Sequence, residues 1–257
     1  MKLVDRNHPL AVKIRKQITQ ALSDYKMIAD QDKVMVCVSG GKDSSILTLL
    51  LDEIRKRAEI SFTLQAVILD QKQPGFDVQN FKSWIESEGI TFHMIEKNTY
   101  AVVKEKVTNG VYCSLCSKMR RAILYDYAFE NKFAKMALGH HRTDLIETTM
   151  LNMFYTGHIS TMPAKLRSDD GRNIVIRPMM YVAESDLIQL ASDWGFPVIP
   201  CNLCGSQEGM KRQKMKALIK DLEKDIPHLS ASFMTALQNV KPSHLLDKNL
   251  YDFESLP

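Results

Sequence analysis

The feature that most constrains this chain is an apolar run that ends in a glycine-rich turn. Residues 34–38 read Val-Met-Val-Cys-Val, which is typical of a strand buried on both faces of a sheet. A helix is predicted directly after the turn, because apolar residues recur at helical spacing from Ile46 to Ile54. The turn itself consists of Ser39, Gly40, Gly41, Lys42, Asp43 and Ser44. The sequence therefore predicts a strand–turn–helix unit.

Predicted strands and helices alternate along the rest of the chain. Apolar runs predict further strands at 62–69, 90–95, 135–138 and 174–178. Helical periodicity predicts helices at 9–28, 76–88, 101–107, 117–131, 144–155, 184–194, 206–224 and 229–240. This order predicts an α/β fold with an open parallel sheet flanked by helices. We place a boundary near residue 200, between a sheet domain at 1–200 and a C-terminal helical extension at 201–257.

Composition narrows the class of protein. The 257 residues are 45% hydrophobic and 25% charged, with a formal net charge of +4, which is typical of a globular protein. No apolar run approaches the roughly 18 to 20 residues of a membrane span, and the N-terminus lacks the apolar core of a secretory signal. We therefore expect a cytoplasmic protein with no membrane partner.

The glycine-rich turn is a candidate anion site. A helix N-terminus offers unpaired N–H groups, Lys42 adds positive charge, and Ser39 and Ser44 add hydroxyl donors, so phosphate or pyrophosphate is the expected ligand. The spacing is not that of a Walker A loop. The alternative is a tight turn with a capped helix, and Asp43 accordingly has two possible roles, as a Mg²⁺ ligand or as the cap. The turn follows the first strand, where open α/β sheets bind ligands, and this position favours an anion-binding site over a purely structural turn.

Four of the five cysteines form two C-x-x-C pairs, Cys113 with Cys116 and Cys201 with Cys204. Each pair is predicted to lie in a loop just before a helix. This spacing allows a structural zinc site with four cysteines, an iron–sulfur cluster, or redox-active or buried thiols, and the residues alone leave the three open. Cys37, inside the first strand, is predicted to be a buried apolar side chain.

Residues 39–44 match the SGGKDS signature of the PP-loop, or N-type ATP pyrophosphatase, superfamily, and this adds a Rossmann-like fold to the expectations. Its members adenylate a carbonyl oxygen with ATP and release pyrophosphate. Six further blocks resemble the tRNA 2-thiocytidine biosynthesis (TtcA) family, so the resemblance covers nearly the whole chain. These blocks are DQKQPGF, CSLCSKMRRAILYDYA, ALGHHRTDLIETTMLNMFYTG, IVIRPMMY, IPCNLCGSQ and NVKPSHLLDKNLYDF.

The resemblance implies ATP-dependent 2-thiolation of cytidine 32 in the anticodon loop of tRNA. It implies ATP and Mg²⁺ as cofactors, with Lys42 and Asp43 catalytic, and a [4Fe-4S] cluster held by Cys113, Cys116 and Cys204 with one iron left open. Cys201 would then be a spectator. The implied partners are tRNA, a cysteine desulfurase as sulfur donor and a second copy of the chain in a homodimer.

Several other residues are weaker candidates. His140 and His141, after the fourth predicted strand, are expected to lie near the nucleotide yet to be solvated side chains. Thr143 stands where family members commonly carry an acid, so Asp144 is the candidate metal ligand of this loop. Tyr112, Phe154 and Tyr155 are candidate receivers of the target base, and Met150, Met153, Met179 and Met180 are predicted core residues. Basic side chains beside both cysteine pairs are either contacts for tRNA phosphates or ordinary solvated helix faces: Lys118, Arg120, Arg121, Lys211, Arg212, Lys214, Lys216, Lys220 and Lys224.

Two alternative functions follow from the same residues. One is a zinc-stabilised PP-loop ligase or amidotransferase that acts on another substrate. The other is a non-catalytic RNA-binding protein that retains the fold.

Overall fold

The structure, a computed structural model, describes residues 3–73, 75–106, 112–199 and 211–255, and within them all side chains except those at 103, 104, 106 and 112–114. The described residues form nine α-helices and six strands. In chain order these are α1 Pro9–Asp24, β1 Lys33–Val38, α2 Lys42–Arg57, β2 Thr63–Asp70, α3 Gln79–Ser87, β3 Phe92–Glu96, α4 Thr99–Lys106, α5 Tyr112–Glu130, β4 Lys135–Ala137, α6 Arg142–Thr156, β5 Lys165–Arg167, β6 Ile174–Ile176, α7 Glu184–Trp194, α8 Lys211–Asp225 and α9 Leu229–Gln238.

The strands form one sheet in the order β3-β2-β1-β4-β6-β5. Every neighbouring pair is parallel except β5 with β6, and β1 lies at the centre with Val36 opposite both Ala66 and Ala137. The predicted open parallel sheet is confirmed. The antiparallel edge strand β5 was not predicted, because its three residues are all exposed and carry no apolar pattern.

The two faces of β1 pack against different helices, because successive side chains of a strand point to opposite sides. Val34, Val36 and Val38 belong to the larger apolar core, which also contains side chains of α1, α2 and α7. Met35 and Cys37 belong to a second cluster with Leu124 and Ala128 of α5. Residues 34–38 are therefore buried on both faces as predicted, and Cys37 is a buried side chain, 6% exposed.

The helices α8 and α9 continue the larger core. Met215, Ile219 and Met234 are buried in the same apolar cluster as the sheet, and both helices contact α6. The predicted boundary near residue 200 lies outside the described residues. Across the described ranges, no helix is both long enough and apolar enough to cross a bilayer.

Two sequence predictions are wrong in their local detail. The helix α5 begins at Tyr112, so Cys113 and Cys116 lie inside its first turns and not in a loop before it. Cysteine has only modest helix propensity, which is why the sequence favoured a later start. Met150, Met179 and Met180 are buried as predicted, but Met153 is 42% exposed and is not a core residue.

Candidate active site

The candidate site is a cavity of about 400 Å³ at the carboxyl ends of β1 and β4. Strands β2 and β3 lie on one side of this pair and strands β6 and β5 on the other, so the direction in which strands are added reverses between β1 and β4. Open α/β sheets bind ligands at such a switch point. The size lies within the range of small-molecule sites. Its lining residues are Cys37, Ser39, Asp43, Ser44, Ser117, Arg120, Arg121, Leu124, Tyr125, Met136, Leu138, Gly139, His140 and Asp144.

Gly40 is held by a close backbone contact. Its φ is +81°, and a Cβ added there would lie 2.7 Å from the Cβ of Ile199. The Ile199 N–H donates to the Gly40 carbonyl at 2.9 Å. Phe196, three residues earlier, stacks on Trp84 of α3 with the ring centroids 4.8 Å apart. The segment from Phe196 to Ile199 is therefore anchored at one end and lies on the glycine loop at the other.

Ser39 and Ser44 stabilise the conformation of the loop through hydrogen bonds to each other. Ser44 Oγ accepts from the Ser39 N–H at 3.0 Å and lies 3.1 Å from Ser39 Oγ. Gly139, after β4, allows the two turns to touch, since a Cβ there would lie 3.0 Å from the Ser44 backbone nitrogen. The amides at the start of α2 therefore lie directly beside the β4 turn.

Lys42 and Asp43 form an ion pair at the start of α2. Lys42 Nζ lies 3.0 Å from Asp43 Oδ1, and both side chains are about one-quarter exposed, at 26% and 29%. The cap residue of α2 is Gly41, with no side-chain hydrogen bond to the helix, so Asp43 does not cap this helix. Its carboxylate lines the cavity instead.

Of the two histidines after β4, His141 is buried, which corrects the expectation of a solvated side chain, whereas His140 is half-buried. His141 is 5% exposed, and His140 lines the cavity. Arg177 Nε donates to His140 Nδ1 at 3.3 Å. Burial, together with the positive charge of Arg177, lowers the pKa of His140 to about 4, so its ring is neutral at physiological pH.

Asp144 is already engaged by neighbouring groups. Its Oδ2 accepts from the His141 N–H at 3.0 Å, at the start of α6. Its Oδ1 accepts from Arg212 of α8 at 3.2 Å, and Arg212 also lies 3.5 Å from Glu147. Asp144 thus lines the cavity while it joins α6 to α8.

Glu147, which also lies near Arg212, has a raised pKa that can be tested by mutation. Burial raises its pKa to about 7 from 4.5, despite the opposing charge of Arg212. Between these values the folded protein keeps a proton that the unfolded chain has released, so the free energy of unfolding falls as the pH rises through the window. We expect Glu147→Gln to raise Tm relative to wild type by about 2 to 4 °C at pH 8 and by little at pH 5, as measured by thermal unfolding.

The matched control for that prediction is Glu130→Gln, at an exposed position at the end of α5. It should leave Tm unchanged at both pH values. Equal effects of Glu147→Gln at pH 5 and pH 8 would contradict the raised pKa.

Cys116 is the cluster candidate whose side chain is described. Its thiol donates to Gln71 Oε1 at 3.2 Å, and Thr99 donates to the same oxygen at 2.9 Å. Gln71 follows β2 and is 4% exposed. One turn further along α5, Arg120 donates to the Val38 carbonyl at 3.3 Å. The first cysteine pair therefore lies on a helix that is bonded to the end of β1, beside the cavity.

The remaining cluster candidates fall outside what is described, namely the side chain of Cys113 and the residues Cys201 and Cys204. Within the described ranges, no three His, Cys, Asp or Glu side chains are arranged to hold a metal ion. The side chain of Tyr112 is also outside what is described. Phe154 and Tyr155 are 59% and 44% exposed and do not line the cavity.

Sequence reasoning missed several residues of the site, among them Gly139 and Tyr125, which line the cavity, and Arg177, which bonds His140. Gly139 and Arg177 follow β4 and β6, two adjacent parallel strands, so the rule that placed the glycine loop could have found both. Tyr125 lies within α5, and no sequence signal distinguishes it from other helix residues.

Comparisons with known proteins agree with this geometry. A family model described as a PP-loop domain matches residues 10–197. Fold and loop together define a PP-loop protein.

Curated relatives narrow the assignment. The tRNA-cytidine(32) 2-sulfurtransferase of Bdellovibrio bacteriovorus is 62% identical over 96% of this chain and 96% of its own length. That of Hahella chejuensis is 50% identical over 95% of this chain and 86% of its own length. The chain belongs to the tRNA-cytidine(32) 2-sulfurtransferase family of enzymes, which confirms the resemblance found in the sequence.

One solved structure shares the fold. The U34-tRNA thiolase NcsA from Methanococcus maripaludis, determined with its [4Fe-4S] cluster, matches with a TM-score of 0.71 at 20% identity, over 91% of this chain and 80% of that chain. At this identity the likeness concerns the fold alone.

Proposed function

We propose that this chain catalyses ATP-dependent 2-thiolation of cytidine 32 in the tRNA anticodon loop. One observation carries the proposal: the helix with Cys116 is bonded through Arg120 to the end of β1, where the glycine loop begins. A group that activates a base with ATP and a group that handles sulfur would thus work on one cavity. Membership of the sulfurtransferase family supports this function, as does the fold shared with a tRNA thiolase that holds a [4Fe-4S] cluster.

The first step would activate the C2 oxygen of cytosine. That oxygen attacks the α-phosphorus of ATP, and the bond to pyrophosphate breaks, so AMP is transferred to the base. The amides of Gly41 and Lys42 at the start of α2, with the Lys42 ammonium, would stabilise the negative charge on the departing pyrophosphate. Asp43, whose carboxylate faces the cavity, would hold Mg²⁺ there, where the ion shares in neutralising the phosphates.

The second step would replace the activated oxygen with sulfur. Sulfide attacks C2 and AMP leaves with the original oxygen, which balances the exchange. Cysteine thiolates are suitable donors for a [4Fe-4S] cluster, and Cys116 lies beside the cavity, so the chain fits this group. We propose Cys113, Cys116 and Cys204 as its ligands. When bound, the cluster would hold and deliver the sulfide sulfur.

The tRNA would use part of the basic set found in the sequence. Arg120 and Arg121 line the cavity, and Lys118, Lys214 and Lys220 are exposed. Arg212 and Lys216 are engaged with acidic side chains and are weaker candidates. A cysteine desulfurase as sulfur donor, a homodimer and a cytoplasmic location complete the proposal and rest on the family alone.

The test is to purify the protein anaerobically, measure iron, sulfide and zinc, and repeat the measurements with single Cys→Ala variants. We expect about four irons per chain, lost in Cys113→Ala, Cys116→Ala and Cys204→Ala because each removes a ligand. Cys201→Ala is the matched control and should retain the cluster.

Thiolation of an unmodified tRNA with ATP and sulfide completes the test, with 2-thiocytidine measured by mass spectrometry. One zinc per chain that depends on all four cysteines would instead support the zinc-stabilised PP-loop enzyme. A loaded protein that binds tRNA yet forms no 2-thiocytidine would support the RNA-binding alternative.

A further inference from the structure

The cavity has a second wall that the glycine loop does not form. Side chains of α5 and of the β4 turn make it, with Leu124, Tyr125, Leu138 and His140 among them. The proposed mechanism assigns the ATP phosphates to the loop and uses Arg120 and Arg121 of α5 as contacts for tRNA, but it gives Leu124, Tyr125, Leu138 and His140 no role. A cavity with a charged end and a partly apolar end fits a ligand that has both phosphate and a ring.

Tyr125 is the aromatic residue of this wall. Of the described residues that line the cavity, no Phe, Trp or other Tyr side chain is present. The exposed aromatics Phe154 and Tyr155 lie elsewhere, and Lys211 already covers the Tyr155 ring with Nζ 4.2 Å from its centroid. A base that reacts inside the cavity can therefore stack on Tyr125 and not on these side chains.

His140 supplies a neutral ring donor to this wall, in addition to the polar α5 side chains Ser117, Arg120 and Arg121. Because its Nδ1 accepts the Arg177 hydrogen bond, the proton of the neutral ring sits on Nε2, which is then a donor. The charged and titratable groups that act on this ring are Arg177, Asp144, Arg212 and His141, and the low pKa keeps it neutral among them. The wall thus combines a flat aromatic ring with a fixed N–H donor.

We propose that Tyr125 and His140 form the subsite for the target cytosine, with the ring of Tyr125 stacked on the base and the His140 Nε2–H directed at its acceptor edge. Arg177 is a positioning residue that fixes the His140 tautomer. The subsite rests on the proposed function, and it names the residues that select the base.

Two chemical requirements favour a base in this place. An enzyme that reacts at C2 must first take the nucleotide out of its stack, and an aromatic surface in the pocket offsets that cost. The attacking oxygen must also reach the α-phosphorus in line with the departing pyrophosphate, so the base must share the cavity with the glycine loop. Cytosine presents O2 and N3 as neighbouring acceptors, which an N–H donor satisfies.

The experiment compares matched variants of the reconstituted holoenzyme with unmodified tRNA as substrate. Tyr125→Leu should lower kcat/KM for tRNA by about tenfold to a hundredfold, the usual loss when one stacking ring is removed, while Tyr125→Phe stays within about threefold. His140→Ala should lower kcat/KM about tenfold, and His140→Gln should recover most of it because its amide N–H can replace Nε2–H. The Kd for ATP, measured without tRNA, should change less than about twofold in all four.

Two outcomes overturn the subsite. An unchanged kcat/KM for tRNA in Tyr125→Leu would exclude stacking of the target base on Tyr125. A raised Kd for ATP with an unchanged KM for tRNA in the same variant would mean that the wall binds the adenine ring of ATP instead. Wild-type protein is assayed first. If it forms no 2-thiocytidine, the proposed function itself fails and the subsite fails with it, whereas an active wild type with an indifferent Tyr125→Leu rejects the subsite alone.

Discussion

Lys42→Ala is expected to lower the rate of tRNA thiolation by about a hundredfold or more, with little change in Tm. In the proposed mechanism Lys42 stabilises the charge that develops on pyrophosphate, so the loss of its ammonium group should have a large kinetic effect. The fold should persist because Lys42 is partly exposed and its ion pair is with the adjacent Asp43. Single-turnover kinetics with saturating ATP and thermal unfolding measure the two quantities.

Lys56→Ala is the control for charge on the same helix. Lys56 lies fourteen residues further along α2, about 21 Å away, and pairs with Asp52 at 2.7 Å. It should leave the thiolation rate within about twofold, since it is far outside the range of a direct contact. Equal losses in both variants would mean that net charge, and not the position of Lys42, determines the rate.

Gly40→Ala is expected to destabilise the protein by about 2 to 5 kcal/mol and to abolish measurable ATP binding. The left-handed backbone at Gly40 contributes about 1 to 2 kcal/mol and the clash with Ile199 the remainder. Binding fails because the loop can accept a Cβ only if the Ile199 segment moves. Denaturant unfolding and ATP titration measure the two effects.

Two other glycines serve as controls that distinguish backbone strain from the steric clash with Ile199. Gly89 has φ +76° with open space around it, so Gly89→Ala should cost only the backbone strain, about 1 to 2 kcal/mol. Gly41 has φ −84°, and its added Cβ would meet just the Ser39 hydroxyl at 3.3 Å, so Gly41→Ala should cost less than about 1 kcal/mol. If Gly40→Ala costs no more than Gly89→Ala, the contact with Ile199 does not constrain the loop.

The Ile199 contact holds the glycine loop against the chain segment that follows α7. The Ile199 N–H donates to the Gly40 carbonyl at 2.9 Å, and its side chain occupies the space that a Cβ at position 40 would need.

Much of the architecture follows from local pattern. The run at residues 34–38 predicted the central strand because only a strand covered on both faces is apolar at every position. The site at the end of β1 and β4 followed from the rule for parallel sheets. The short strand β5 was not predicted, because its three residues are exposed and show no periodicity of apolar side chains. The helix α5 begins earlier than predicted, because cysteines near a helix start give little indication of helical structure.

The sequence by itself determined the fold class, the position of the glycine-rich turn and the family, because these depend on residue type and spacing along the chain. Only the tertiary structure decided the environment of each side chain. The neutral state of His140 depends on its burial and on the charge of Arg177, thirty-seven positions away. The need for glycine at position 40 depends on Ile199, which is still further along the chain. Burial and charge act through space, so groups that are remote in sequence set the pKa, the available room and the hydrogen bonds of the site.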